Sequence, residues 1–442
     1  MKKYASIAYI ILWAVLLLIT VFNDYSVKVL FFAKSLLFIH IVYILILVPI
    51  IAFRYLAIAK KDKQVRVVLK KMALRIILVI IIFSTILIAV LQHNQSEDFN
   101  YQWDYSIENS NGIATNAFES DGKIRGLYIY GLGRNTSNRL DPIIKSNVGW
   151  VAVYPYMRQE SQNSERINLP SNVAQWSRKE TLYINEVKKL KEKNLRVMLK
   201  PHLWVLDGWR ATIDFDTEQK WDTWFEDYRV NMLHYAKLAE VTKTDLLCIG
   251  TELESSLRKK NYKWIQLIGE IRRLYSGKLT YASNWDSNTF YDYPEFWNSM
   301  DYIGIQAYFP LTKIENPDLN QIKRGWDKHI YNIEELYKYY NKPIIFTEIG
   351  YRSDSEATIK PWEWNNLLSP LYRQKSEETQ LLAYEAFFQK IWHKEWFSGA
   401  FIWQWNRSRD FSICGKPAEN CISKWYSSNH KIKHGYKHNT LN

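Results

Sequence analysis

The chain of 442 residues is too long for one small domain and long enough for one large catalytic domain with an attachment segment. Its formal charge of +13 is unevenly placed: residues 1–99 hold +8 and the remainder only +5, so the excess does not describe a nucleic-acid-binding face. Three cysteines exclude a disulfide framework; Cys248 lies in an apolar run and reads as a small core residue, while for Cys414 and Cys421 a mutual disulfide and two free thiols fit equally well.

In chain order, three apolar runs come first, over Tyr4–Phe22, Ser35–Phe53 and Ile76–Leu91. Their length and composition predict transmembrane helices, the second tolerating Pro49 and the third bounded by Arg75 and Gln92, whose side chains can snorkel. Between the second and third runs stand Arg54, Lys60, Lys61, Lys63, Arg66, Lys70, Lys71 and Arg75 against the single acid Asp62. The positive-inside rule makes that loop cytoplasmic, in contact with lipid headgroups, and places everything after the third run on the extracytoplasmic side of the cell membrane. Residues 1–92 are therefore expected to be a multi-pass membrane anchor. Residues 93–123, polar and rich in Asn and Ser, are expected to be a linker.

From Ile124 onward, short β-branched and aromatic runs alternate with longer amphipathic stretches. The strands are expected at Arg125–Leu132, Val148–Tyr156, Arg196–Leu203, Asp245–Thr251, Leu279–Asn284, Tyr302–Tyr308, Pro343–Glu348 and Gly399–Trp405. Helical periodicity is clearest over Glu180–Asn194, Phe225–Val241, Tyr262–Tyr275, Trp326–Tyr340 and Glu377–Trp396. Single strands alternating with helices pair in parallel, and eight such units predict an α/β fold of the (β/α)8 TIM-barrel type over residues 124–428. The first strand is followed by Tyr130-Gly131-Leu132-Gly133-Arg134, which lacks the third glycine of a dinucleotide fingerprint. Residues 429–442 read as a basic tail. His430, His434 and His438 have helical metal-ligand spacing there, but no apolar stripe accompanies them, so no metal site is expected.

Chemistry concentrates where two strands end in acids. The fourth strand closes on Glu252 and the seventh on Glu348, and in a barrel of this kind both strand ends lie on the active-site face. One carboxyl that can be kept protonated and one that can be kept ionised are what glycosidic bond cleavage requires. The tally of 19 Trp and 30 Tyr suits a cleft that stacks flat aromatic faces on sugar rings. No Gly-x-Ser-x-Gly elbow, phosphate-binding Walker loop or zinc cysteine cluster is present, and no cofactor is required.

Over about Ile124–Ser428 the chain resembles the retaining glycoside hydrolases of clan A, and within them family 113, whose characterised members are β-mannanases. The resemblance rests on Lys200-Pro-His202-Leu-Trp204 with Asp207-Gly-Trp209-Arg210, Ile249-Gly-Thr-Glu252, Ser283-Asn-Trp-Asp286, Gln306-Ala-Tyr308, Thr347-Glu-Ile-Gly-Tyr351, Trp403-Gln-Trp405 and Gly415-Lys-Pro-Ala418. It implies Glu252 as acid/base, Glu348 as nucleophile, Tyr308 as hydrogen-bond donor to the nucleophile, and mannan or glucomannan as substrate. Thr251 stands where the clan usually has Asn. Sugar contacts are further expected from Lys200, His202, Trp204, Thr251, Asn284, Trp285, Trp403 and Trp405, with both last-strand tryptophans sent to one face by alternation, where one can floor the sugar site while the other packs deeper. Trp209, Trp362 and Trp364 are looser candidates, and Glu254 reads as a helix-start acid. A rival reading is a catalytically silent carbohydrate-binding barrel that senses glycan or assists envelope polysaccharide assembly.

Overall fold

The computed structural model describes residues 63–115, 117–129, 136–169, 173–287, 289–366, 368–405 and 410–427. The chain divides into two compact units, residues 1–91 and 92–442. The expected spans Tyr4–Phe22 and Ser35–Phe53 lie outside the described residues, as do the tail 429–442 and its three histidines. Helix α1, Lys63–Gln95, contains the third run. Its first half carries Lys63, Arg66, Lys70, Lys71 and Arg75, and its uninterrupted apolar part extends only from Ile76 to Leu91, about 24 Å against a hydrocarbon core of about 30 Å. Among the described residues no helix is long and apolar enough to cross a membrane.

Among the described residues of the second unit, ten strands follow in chain order: β1 Ile124–Ile129, β2 Trp150–Val153, β3 Tyr156–Ser161, β4 Arg196–Leu199, β5 His202–Asp207, β6 Leu246–Thr251, β7 Lys278–Asn284, β8 Tyr302–Gln306, β9 Ile344–Ile349 and β10 Phe397–Trp405. Eight of them close a barrel in the order β1-β10-β9-β8-β7-β6-β4-β2, every neighbouring pair parallel. With helices between them this is a (β/α)8 barrel, as the alternating pattern predicts. The longer intervening helices include α2 Thr136–Lys145, α3 Val173–Glu192, α4 Glu218–Val241, α5 Asn261–Leu274, α6 Leu319–Tyr340 and α7 Glu377–Ile391, with α8 Pro417–Tyr426 after the last strand.

Alternation along the strands sorts the core into two shells. Tyr128, Trp150, Ala152, Met198, Cys248 and Phe401 fill the barrel interior. Their neighbours Leu127, Val151, Val197, Leu247 and Ile402 pack outward against the helices. Cys248 is thus the small core residue expected, and none of the three cysteines is joined in a disulfide. The barrel closes where Gly399 meets Ile124 in register. Gly399 has φ +112°, and a Cβ there would lie 2.2 Å from the Ile124 backbone, so only glycine fits.

Two expected strands are corrected. The second and third were expected to run unbroken through Val148–Tyr156 and Arg196–Leu203, but each stops short of a proline, at Val153 before Pro155 and at Leu199 before Pro201. A proline has no N–H for the ladder and biases the residue before it, so each run breaks in two. The far pieces, β3 and β5, pair in parallel with Tyr156 opposite His202 and form a separate two-stranded sheet beyond those strand ends.

The segment expected as a linker is hydrogen-bonded to this unit. Lys375 N donates to Asn94 O at 2.7 Å, Tyr101 Oη donates to Asn420 Oδ1 at 2.9 Å, and Asn420 Nδ2 donates to Asp104 O at 2.9 Å.

Candidate active site

The C-terminal ends of the barrel strands and the β3–β5 sheet enclose a cleft of about 1130 Å³. Glu348 lies within β9, 5% exposed, on the cleft wall. Its Oε1 accepts from Lys200 Nζ at 2.5 Å and its Oε2 accepts from Tyr308 Oη at 2.9 Å. Lys200 is wholly buried, follows the last residue of β4, and also sits 5.3 Å from the centre of the Tyr128 ring. Burial and then the Glu348 charge push the Tyr308 phenol well above its ordinary pKa, so it stays a proton donor to that carboxylate. His202 Nε2 lies 3.7 Å from Glu348 Oε1. Burial first, then the charges of Lys200 and Arg210, hold this imidazole well below its ordinary pKa, so it faces the cleft uncharged.

Glu252 follows β6 directly and adopts φ +55°, with its N–H donating to Ala282 O at 2.9 Å. Its Oε2 meets Trp209 Nε1 and Arg210 Nε, each at 3.3 Å. On Oε1 it faces Gln306 Nε2 at 3.4 Å. Gln306 Oε1 in turn accepts from Lys200 Nζ at 2.9 Å and from Thr347 Oγ1 at 3.1 Å, two donors that fix which end of the amide points to Glu252. A single buried side chain therefore links the surroundings of both acids.

Of the expected site residues, Glu252, Glu348, His202, Trp204, Asn284, Trp285, Tyr308 and Trp403 line the cleft, and Lys200 reaches it through Glu348. So do the looser candidates Trp209, Trp362 and Trp364, all more than two-fifths exposed although large and apolar. Trp362 stacks on Trp285 with ring centres 5.8 Å apart. Glu254 starts a short helix and pairs with Arg258, as a helix-start acid does. Two expectations are corrected. Thr251 is buried and does not line the cleft, while the left-handed residue after it brings the acid of Glu252 to the wall. Trp405 packs outward with the helices, whereas Trp403 packs on the interior cluster. Leu127 pairs with Ile402 but Ile129 with Trp405, so β10 carries one extra residue there, and that bulge reverses the alternation expected of the two tryptophans.

Sequence reasoning missed Gln306, Tyr156, Arg158, Arg210, Gln404 and Phe411. Gln306 had a legible signal, since it stands at a strand end two residues before Tyr308. Tyr156 and Arg158 did not, because their position depends on the proline break that starts β3.

The pattern of glycoside hydrolase family 113 matches residues 125–422 of this chain. A solved complex of a family 113 beta-1,4-mannanase superposes with a TM-score of 0.59 at 25% identity, covering 69% of this chain and 99% of the other. A second structure of a family 113 beta-1,4-mannanase gives 0.55 at 26% identity, over 64% and 89%. The beta-mannanase AaManA of Alicyclobacillus acidocaldarius, solved with ManMIm, shares the fold at 0.57 and 24% identity, over 69% and 97%. No curated protein sequence matches the chain. A match over most of the chain, on a barrel whose cleft gathers paired carboxylates and aromatic faces, places this protein in glycoside hydrolase family 113 as a glycoside hydrolase.

Proposed function

We propose that the protein is a retaining glycosidase of β-linked mannan or glucomannan, with Glu348 as nucleophile and Glu252 as acid/base. The observation that carries this reading is the asymmetry of the two acids. Glu348 is buried between the Lys200 amine and the Tyr308 phenol, both of which donate to it. Glu252 stands at the rim on a left-handed turn, within reach of both a leaving oxygen and water.

In the first step Glu348 attacks the anomeric carbon and the glycosidic C–O bond breaks as the Glu252 carboxyl gives its proton to the departing oxygen. In the second, Glu252 takes a proton from water, the hydroxide attacks the same carbon, and the bond to Glu348 breaks. Mannan is favoured among β-glycans because the superposed family 113 structures are those of mannanases.

The test is a hydrolysis screen on mannan, glucan, xylan and chitin oligomers with wild type, Glu252→Gln and Glu348→Gln, joined to trapping by a fluorinated mannoside and mass spectrometry. Turnover of mannan oligomers, a label on Glu348 and its loss in Glu348→Gln are expected. Glycan binding without turnover or label would instead favour the silent carbohydrate-binding barrel. The apolar runs and the basic loop between the second and third support a further proposal, that residues 1–92 anchor this domain on the extracytoplasmic side of the cell membrane, the short third run being met by local thinning of the bilayer. Labelling of added surface cysteines in intact cells checks it.

A further inference from the structure

A second cavity, of about 410 Å³, lies between α3 and α4, and Tyr156 belongs to its wall and to that of the catalytic cleft. Its volume falls in the range of roughly 300–1,000 Å³ typical of small-ligand pockets. One side is aromatic: Trp176 packs on the His234 imidazole with ring centres 4.0 Å apart, and Tyr235 lies beside them. The polar members are incompletely satisfied. His234 Nδ1 is 3.5 Å from Glu180 Oε1, but its Nε2 is buried without a hydrogen-bond partner, and so is Glu186 Oε1.

Burial raises the Glu186 carboxyl to about 7 and lowers the His234 imidazole, so near neutral pH the imidazole is uncharged and the carboxyl only partly ionised, while the exposed Lys179 also belongs to the wall. A purely apolar occupant would leave both orphan atoms buried and unpaired, which opposes binding. A divalent cation lacks ligands, since no group of acids, histidines and cysteines able to hold a metal occurs among the described residues. A pyranose ring satisfies both halves: its C–H face suits the Trp176 indole and its hydroxyls donate and accept.

We propose that this cavity is an ancillary subsite for an uncharged sugar residue, a branch or continuation of the glycan chain held in the cleft across Tyr156. The proposal rests on the glycan reading of the cleft. It ties chain length to affinity, because only an oligosaccharide long enough to pass Tyr156 gains the second contact.

The test is calorimetric binding of short and long manno-oligosaccharides to the full chain in the Glu348→Gln background, where no turnover intervenes. Trp176→Ala removes the aromatic face, and Leu182→Trp, at an exposed lining position, fills the cavity instead. Each is expected to weaken the long oligosaccharide about three- to tenfold, the factor for one aromatic contact, and to leave the short one unchanged. Unaltered affinity for the long oligosaccharide in both variants, while Trp204→Ala in the cleft weakens it, overturns this subsite alone. Equal loss for short and long also overturns it, since the cavity then acts only through the cleft. If the parent protein binds no oligosaccharide of either length, the glycan reading and this subsite fall together.

Discussion

Removing the ammonium of Lys200 while keeping Glu348 strands a carboxylate that is 5% exposed and retains only the Tyr308 phenol as a strong donor. Breaking a buried pair on one side costs far more than removing both charges, so Lys200→Met should lower the unfolding free energy by about 3–5 kcal/mol in denaturant titration. The double variant Lys200→Met with Glu348→Gln should regain most of that loss; if it does not, the cost is packing and not charge. His202 yields a pH prediction. Its native pKa lies well below the ordinary 6.5 of the unfolded chain, so above that pH it contributes no dependence. As pH falls below 6.5 the unfolded state takes up a proton that the native state refuses, and stability declines. His202→Gln should therefore flatten the fall in Tm between neutral pH and about 5, as thermal scans at matched ionic strength would show.

Three local devices set where the strands deliver their side chains. Pro155 and Pro201 end the barrel strands and release β3 and β5, which bring Tyr156, Arg158, His202 and Trp204 to the cleft. The left-handed residue Glu252 projects an acid from a strand whose preceding residue stays buried. The bulge in β10 separates Trp403 from Trp405. Closure depends on Gly399, where a side chain would strike the Ile124 backbone at a positive φ. Gly399→Ala should accordingly destabilise the barrel by about 3 kcal/mol or more. A denaturation midpoint within error of wild type would show that β1 and β10 can shift apart without cost.

Across the whole catalytic unit, the segment before β1 is held by its own hydrogen bonds. Asn420 accepts from Tyr101 Oη and Asp104 N and donates to Asp104 O, so Asn420→Ala should cost about 1–3 kcal/mol and speed proteolysis between residues 96 and 110. Polar composition alone described this stretch as a linker, since nothing in its own sequence names α8 as its partner. The eight barrel strands and the two acids at the ends of the fourth and seventh were legible for the opposite reason. Apolar period, strand length and a terminal carboxylate are local properties, and parallel pairing follows once helices separate the strands. What the tertiary structure alone decided is contact between residues distant in the chain: Lys200 with Glu348, Gln306 between both acids, and Tyr156 shared by two cavities. Those depend on strand register and on two proline breaks. Neither is resolved by residue spacing alone.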